Sequence, residues 1–112
     1  MSRFNVYISY ISWCDGGKHR PVLVYALDDD YVRLYPITTQ YDNKSEKIKA
    51  KYFAIYDLVC AGLVKPSFID TGTRLKQPIE ILNGIRPIGK LSENDKLRLI
   101  KFLQKGGQKC AT

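Results

Sequence analysis

Two short stretches hold the residues best suited to chemistry. One is Gly16-Gly17-Lys18-His19-Arg20-Pro21, the other Thr38-Thr39-Gln40. Arg20 offers a planar fork of donors that can grip a phosphate in two places. His19 is the single histidine of the chain and can move a proton near neutral pH. Thr38 and Thr39 point to opposite sides of an extended chain, so one hydroxyl serves a given face. A guanidinium, an imidazole and a hydroxyl on one rim would suit a phosphodiester. Each residue also has an ordinary reading: a strand-end arginine in a salt bridge, a lone exposed histidine beside Lys18, and threonines chosen for the sheet.

These groups meet only if the segments that carry them pair. Residues 20–27 and 31–38 are apolar runs with Val, Leu and Tyr, separated by Asp28-Asp29-Asp30. They predict a hairpin whose outer ends bring Arg20 beside Thr38. Pro21 and Pro36 cannot donate to a ladder, so Pro21 belongs at a strand start or an edge and Pro36 at an edge or irregular end. Upstream, residues 3–12 predict a strand with Phe4, Val6, Ile8 and Tyr10 on one face. Residues 13–18, Trp13 to Lys18, predict a loop around Asp15-Gly16-Gly17. Residues 39–49 read as a long polar loop. Trp13 and Tyr41, in the loops flanking the rim, are the candidates for stacking on bases. Arg33, Lys44, Lys47, Lys49 and Lys51 could track a phosphate backbone.

Further on, the pattern predicts a strand at 51–55, a short helix at 56–61 stopped by Gly62, and strands at 65–71, 73–82 and 86–88. The last element is a helix opened by Ser92-Glu93-Asn94-Asp95 and ended by Gly106-Gly107. Leu97, Leu99, Ile100, Phe102 and Leu103 form its apolar stripe, and Arg98, Lys101 and Lys105 its basic arc. Many short strands and one terminal helix predict a mainly β, α+β fold: a small antiparallel barrel with a C-terminal helix over one opening or edge.

The 112 residues suffice for one domain. Formal net charge is +7, unevenly spread: residues 1–60 carry eight basic and seven acidic residues, residues 61–112 ten and four. A polyanionic partner fits that balance. Three cysteines, Cys14, Cys60 and Cys110, without a CxxC pair predict neither a zinc site nor a disulfide framework. The apolar start is too short to span a bilayer, so a soluble, cytoplasmic protein is expected. Asp57 and Asp70 are isolated carboxylates, more in keeping with structure than with general-base work. No nucleotide-binding glycine loop or metal-ligand spacing is present.

Lys18-His19-Arg20-Pro21 followed by Val22-Leu23-Val24, then Thr38-Thr39-Gln40 after a strand, resembles the MazF/PemK toxins of bacterial toxin–antitoxin systems. Ala61-Gly62-Leu63 leading to Lys65-Pro66-Ser67, and Ile88-Gly89-Lys90-Leu91-Ser92, are similar to the same family. The resemblance implies a barrel like that of Src-homology-3 domains, shared with CcdB, and a symmetric dimer joined through the C-terminal helix or the early loops. It implies an endoribonuclease that needs no cofactor or metal, cuts single-stranded RNA, and is held by an antitoxin with an acidic tail. Arg20 and Thr38 match the residues that the family uses in catalysis, and His19 matches a histidine found in some members. Lys18, Thr39, Gln40, Trp13, Tyr41, Lys65 and Ser67 are the expected substrate-binding residues. Two features depart from the family: the loop at residues 13–18 is short, and Ser67 stands near the place of an acid. The alternatives are a barrel that binds RNA or peptide without cutting, and a gyrase-directed toxin of the same fold.

Overall fold

Val22, Leu23 and Val24 are all buried. A strand with one wet face buries every second residue, so three in a row require cover on both faces. In the computed structural model these residues lie in β2 (Gly16–Leu27). It pairs antiparallel with β1 (Asn5–Trp13) and β3 (Tyr31–Thr38). Residues 3–13 and 16–111 are described; the side chains of residues 10–13, 16, 18 and 106–111 lie outside that description, as do residues 14 and 15 altogether.

Four shorter strands complete the sheet: β4 (Tyr52–Ala54), β5 (Phe68–Asp70), β6 (Leu75–Pro78) and β7 (Gly89–Lys90). The order is β4-β5-β3-β2-β1-β7, with β6 added to β3. Among the described residues β4 and β7 end this path without meeting, so the antiparallel sheet is barrel-like but open. Its two faces carry separate cores. Val6, Leu23, Tyr35 and Ile37 pack with Phe53, Ile69 and Leu99 on one side. Tyr7, Val22, Val24, Val32 and Leu34 pack on the other, covered by Leu82, Ile81 and Leu75.

Helix α3 (Glu93–Ala111) covers the first core. It is started by Ser92, whose Oγ accepts from the Asp95 amide at 3.1 Å. Leu99 is wholly buried, and Phe102 meets Phe53 edge-on at 5.6 Å. Two single-turn helices lie earlier: α1 (Glu46–Lys49), capped by Ser45, and α2 (Leu58–Ala61), capped by Asp57. Gly62 ends α2 at φ 77°, and a Cβ there would strike the carbonyl of Ile88. That contact draws the segment leading into β7 against α2.

The sequence reading needs several corrections. The expected loop at residues 13–18 is mostly ladder, because pairing continues to Trp13↔Gly16. The loop at 39–49 contains α1, made by the Ser45 cap and by Glu46 and Lys49 placed one turn apart. The strand expected over 73–82 stops at Pro78, and Ile79–Leu82 form a 3-10 turn that carries Leu82 into the second core. The last short strand is Gly89–Lys90, not 86–88. α3 runs past Gly106-Gly107 because neither takes the positive φ that stops a helix; among the described residues only Phe4, Gly62 and Gly84 have it. In β1, Tyr7 is buried because β1 too lies between the two cores, whereas Ile8 is exposed. In α3, Asp95 is buried while Leu97 is exposed.

Candidate active site

The β2–β3 ladder holds Leu23 opposite Tyr35 and Val22 opposite Pro36. That ladder ends at Val22–Pro36, two residues short of Arg20 and Thr38. The ladder to β2 stops there for a local reason. Pro21 and Pro36 have no amide hydrogen to give, and β3 turns to β5, pairing Ile37 with Ile69 and Thr38 with Phe68. Between the parting strands lies a cavity of about 280 Å³ lined by His19, Arg20, Pro21, Ile37, Thr38, Thr39 and Ser67. Further along β2 and β3, Val22, Val24, Val32 and Leu34 are roofed by Leu82.

The lining contains two cationic or protonatable groups, three hydroxyls and no carboxylate. It is suited to an anion. Arg20 is half-buried and His19 exposed. Thr38 is half-buried, and its Oγ1 accepts from the Gln40 amide at 3.0 Å. That bond uses a lone pair and leaves the hydroxyl proton to donate. Ser67 is buried, and its hydroxyl donates to the Lys65 carbonyl at 2.8 Å, leaving its lone pairs to accept.

The remaining candidates divide clearly. Thr39 lines the cavity. Gln40 does not; its amide closes the turn at Thr38, and its Oε1 accepts from Asn43 at 3.4 Å. Tyr41 does not line the cavity; it is stacked on Phe68 at 4.3 Å, so one face of its ring is already covered. Lys65 is exposed and contributes its carbonyl to Ser67. Lys18 and Trp13 pair in the β1–β2 ladder opposite Ile11 and Gly16; their side chains lie outside the described residues. Arg33 is far along β3, opposite Ala26 and Lys76. Lys49 sits 5.0 Å from the Tyr41 ring centre. Pro21 and Ile37 were missed as lining residues, although each is the direct neighbour of a residue singled out for chemistry.

The isolated carboxylates are accounted for by structure. Asp57 caps α2, accepting from the Cys60 amide at 3.0 Å. Asp70 holds a turn through Gly72 N at 3.0 Å and the Thr73 hydroxyl at 2.8 Å. Among the described residues no three His, Cys, Asp or Glu side chains are grouped so as to hold a metal ion. No helix among them is long and apolar enough to cross a membrane.

No family model matches the chain, and no curated protein matches it in sequence. Among solved structures it is similar to the Mycobacterium tuberculosis toxin MazF-mt6, with a TM-score of 0.65 over 93% of this chain and 96% of that one, at 20% identity. The chain has the fold of a MazF toxin. At that identity the likeness speaks for the fold. The MazF-like sheet is therefore the frame on which Arg20, Thr38 and the cavity between them are mounted.

Proposed function

We propose that the protein is the toxin of a toxin–antitoxin pair and an endoribonuclease of the MazF type. One observation carries the reading: Arg20, His19 and Thr38, chosen for phosphodiester chemistry, line one cavity with Ser67 and no acid. The reaction is attack of a ribose 2′-hydroxyl on the adjacent phosphorus, with departure of the 5′-oxygen. It leaves a 2′,3′-cyclic phosphate and a 5′-hydroxyl end.

Charge grows on the non-bridging oxygens as the new bond forms. Arg20 donates to them in a forked manner, and Thr38 adds its hydroxyl proton. Preorganised donors of this kind stabilise the transition state more than the substrate. A guanidinium is a poor proton donor, so His19 is assigned the proton transfer. None of these roles requires a metal. The same reading gives the protein a cytoplasmic place, a homodimeric assembly, and an antitoxin partner whose acidic tail competes with RNA for the cationic cavity.

The test is incubation of the purified protein with a long single-stranded RNA in the presence of a chelator, followed by analysis of the ends. Cyclic-phosphate and 5′-hydroxyl ends are expected. Intact RNA that is nevertheless bound would make the protein a binding barrel instead. Intact RNA together with inhibited gyrase would make it a gyrase-directed toxin.

A further inference from the structure

The row of residues that begins in the cavity does not end there. Thr38 pairs with Phe68 in β5, and Phe68 pairs with Ala54 in β4, so these side chains share a face. Tyr52, two residues before Ala54, lies on it too, its ring centre 6.5 Å from Phe68 and 6.2 Å from Tyr41. This face points away from the core, since the alternate residues Phe53 and Ile69 are the buried ones. With strands about 4.8 Å apart, Ala54 stands about 10 Å from Thr38.

At Ala54 the row reaches β4, the end of the sheet path, and around that edge a second hollow of about 380 Å³ opens between β4 and α3, lined by Phe53 as well as Ala54. Arg98, Lys101 and Lys105 line it together with Tyr52 and Phe102, and no acidic side chain does. Their spacing puts the three cations on one arc of the helix. Arg98 is committed to Asp95 at 2.7 Å. Lys101 and Lys105 are exposed and form no ion pair among the described residues.

We propose that single-stranded RNA held at the cavity continues across the Tyr41–Phe68–Tyr52 face and lays its backbone phosphates in the hollow beside Lys101 and Lys105. This rests on the endoribonuclease reading and adds a distal subsite to it. Aromatic rings next to a cationic track are the arrangement that binds single strands without reading their sequence. The continuity of the row with the phosphate-suited cavity favours RNA over an acidic peptide.

Lys101→Glu/Lys105→Glu and the milder Lys101→Gln/Lys105→Gln test it, because both positions are exposed and outside the cavity. Kinetics are measured on a long RNA and on the shortest oligonucleotide that the protein cuts. RNA binding is measured beside cleavage over a range of salt. The charge reversal is expected to raise KM for the long RNA roughly tenfold with kcat unchanged, and to leave the short substrate alone. The salt dependence of long-RNA binding is expected to shallow by about 1.4 in log–log slope, two phosphate contacts at about 0.7 each. The Gln pair is expected to shallow the slope by the same amount and to raise KM less. Unchanged KM and slope on long RNA would overturn the subsite. So would equal losses on both substrates, a changed oligomeric state, or loss of acidic-peptide binding with RNA kinetics intact. Absence of cleavage by the wild type would overturn the nuclease reading, while the binding slopes would still decide the hollow.

Discussion

The wholly buried carboxylate of Asp95 accepts from Arg98 Nη1 at 2.7 Å. It also accepts from the backbone amides of Tyr56 and Asp57, the latter at 2.8 Å. One side chain thus ties the start of α3 to the segment between β4 and α2. Arg98 in turn lies over the Tyr56 ring at 3.5 Å. Removing the carboxylate strands two amides and a partly buried guanidinium. Asp95→Ala is therefore expected to lower unfolding stability by about 3–5 kcal/mol, read from urea denaturation. A loss below about 1 kcal/mol would show that Asp95 is not the tie described.

Gly62 and Gly84 offer an internal comparison. Both have φ near 75°, at 77° and 75°. A Cβ at Gly84 meets nothing within 4 Å, whereas at Gly62 it runs into the Ile88 carbonyl. Gly84→Ala should cost only the conformational penalty, about 1–2 kcal/mol. Gly62→Ala should cost clearly more, because β7 must also move away. Equal losses in the same denaturation experiment would mean that the packing of Gly62 against Ile88 contributes nothing.

The β2–β3 turn carries a pH signature. Asp28 accepts from the Tyr31 amide at 2.7 Å and the Asp30 amide at 2.9 Å. These bonds, chiefly that from Tyr31, hold its carboxyl below the ordinary 3.8. A group with a lowered folded-state pKa adds stability above its unfolded pKa and loses it as pH falls through the folded value. The Asp28 carboxyl carbon should therefore titrate below 3.8 by NMR, and Asp28→Asn should remove that step. A midpoint at or above the ordinary value would contradict the turn geometry.

Thr38 separates chemistry from structure through its hydroxyl. Thr38→Val keeps the shape but loses both the bond from the Gln40 amide and the donor proposed for the phosphoryl oxygens. We expect a fall in kcat of about tenfold to a hundredfold, short of the loss seen when a principal oxyanion donor is removed. Thr38→Ser should restore most of it. The stability cost should be near 1 kcal/mol, because the lost bond is exposed. Wild-type kcat in the Val variant would remove Thr38 from the reaction.

The hairpin was legible because its signals were local. The acidic triplet and the apolar runs specify the β2–β3 hairpin, whereas Pro21, read as a strand start or edge, lies inside β2 opposite Ile8. Ser67 lines the cavity because the segment entering β5 docks beside Thr38. What the sequence concealed was set by distant partners. Tyr41 has the composition of a free stacking ring, yet Phe68, far along the chain, covers one face of it. Leu97 fits an apolar stripe, yet Asp95 takes the buried position because the amides of Tyr56 and Asp57 await it. Ile79–Leu82 look like strand, but the second core needed a cover, and a 3-10 turn delivers Leu82 to it.

Cleavage of a long RNA by Arg20→Ala, with folding checked by circular dichroism, tests the central claim most directly. The cavity places this guanidinium among the groups proposed to hold the scissile phosphate. A folded variant slowed by about 10²–10³ or more is predicted. A folded variant that cuts at the wild-type rate would contradict the account.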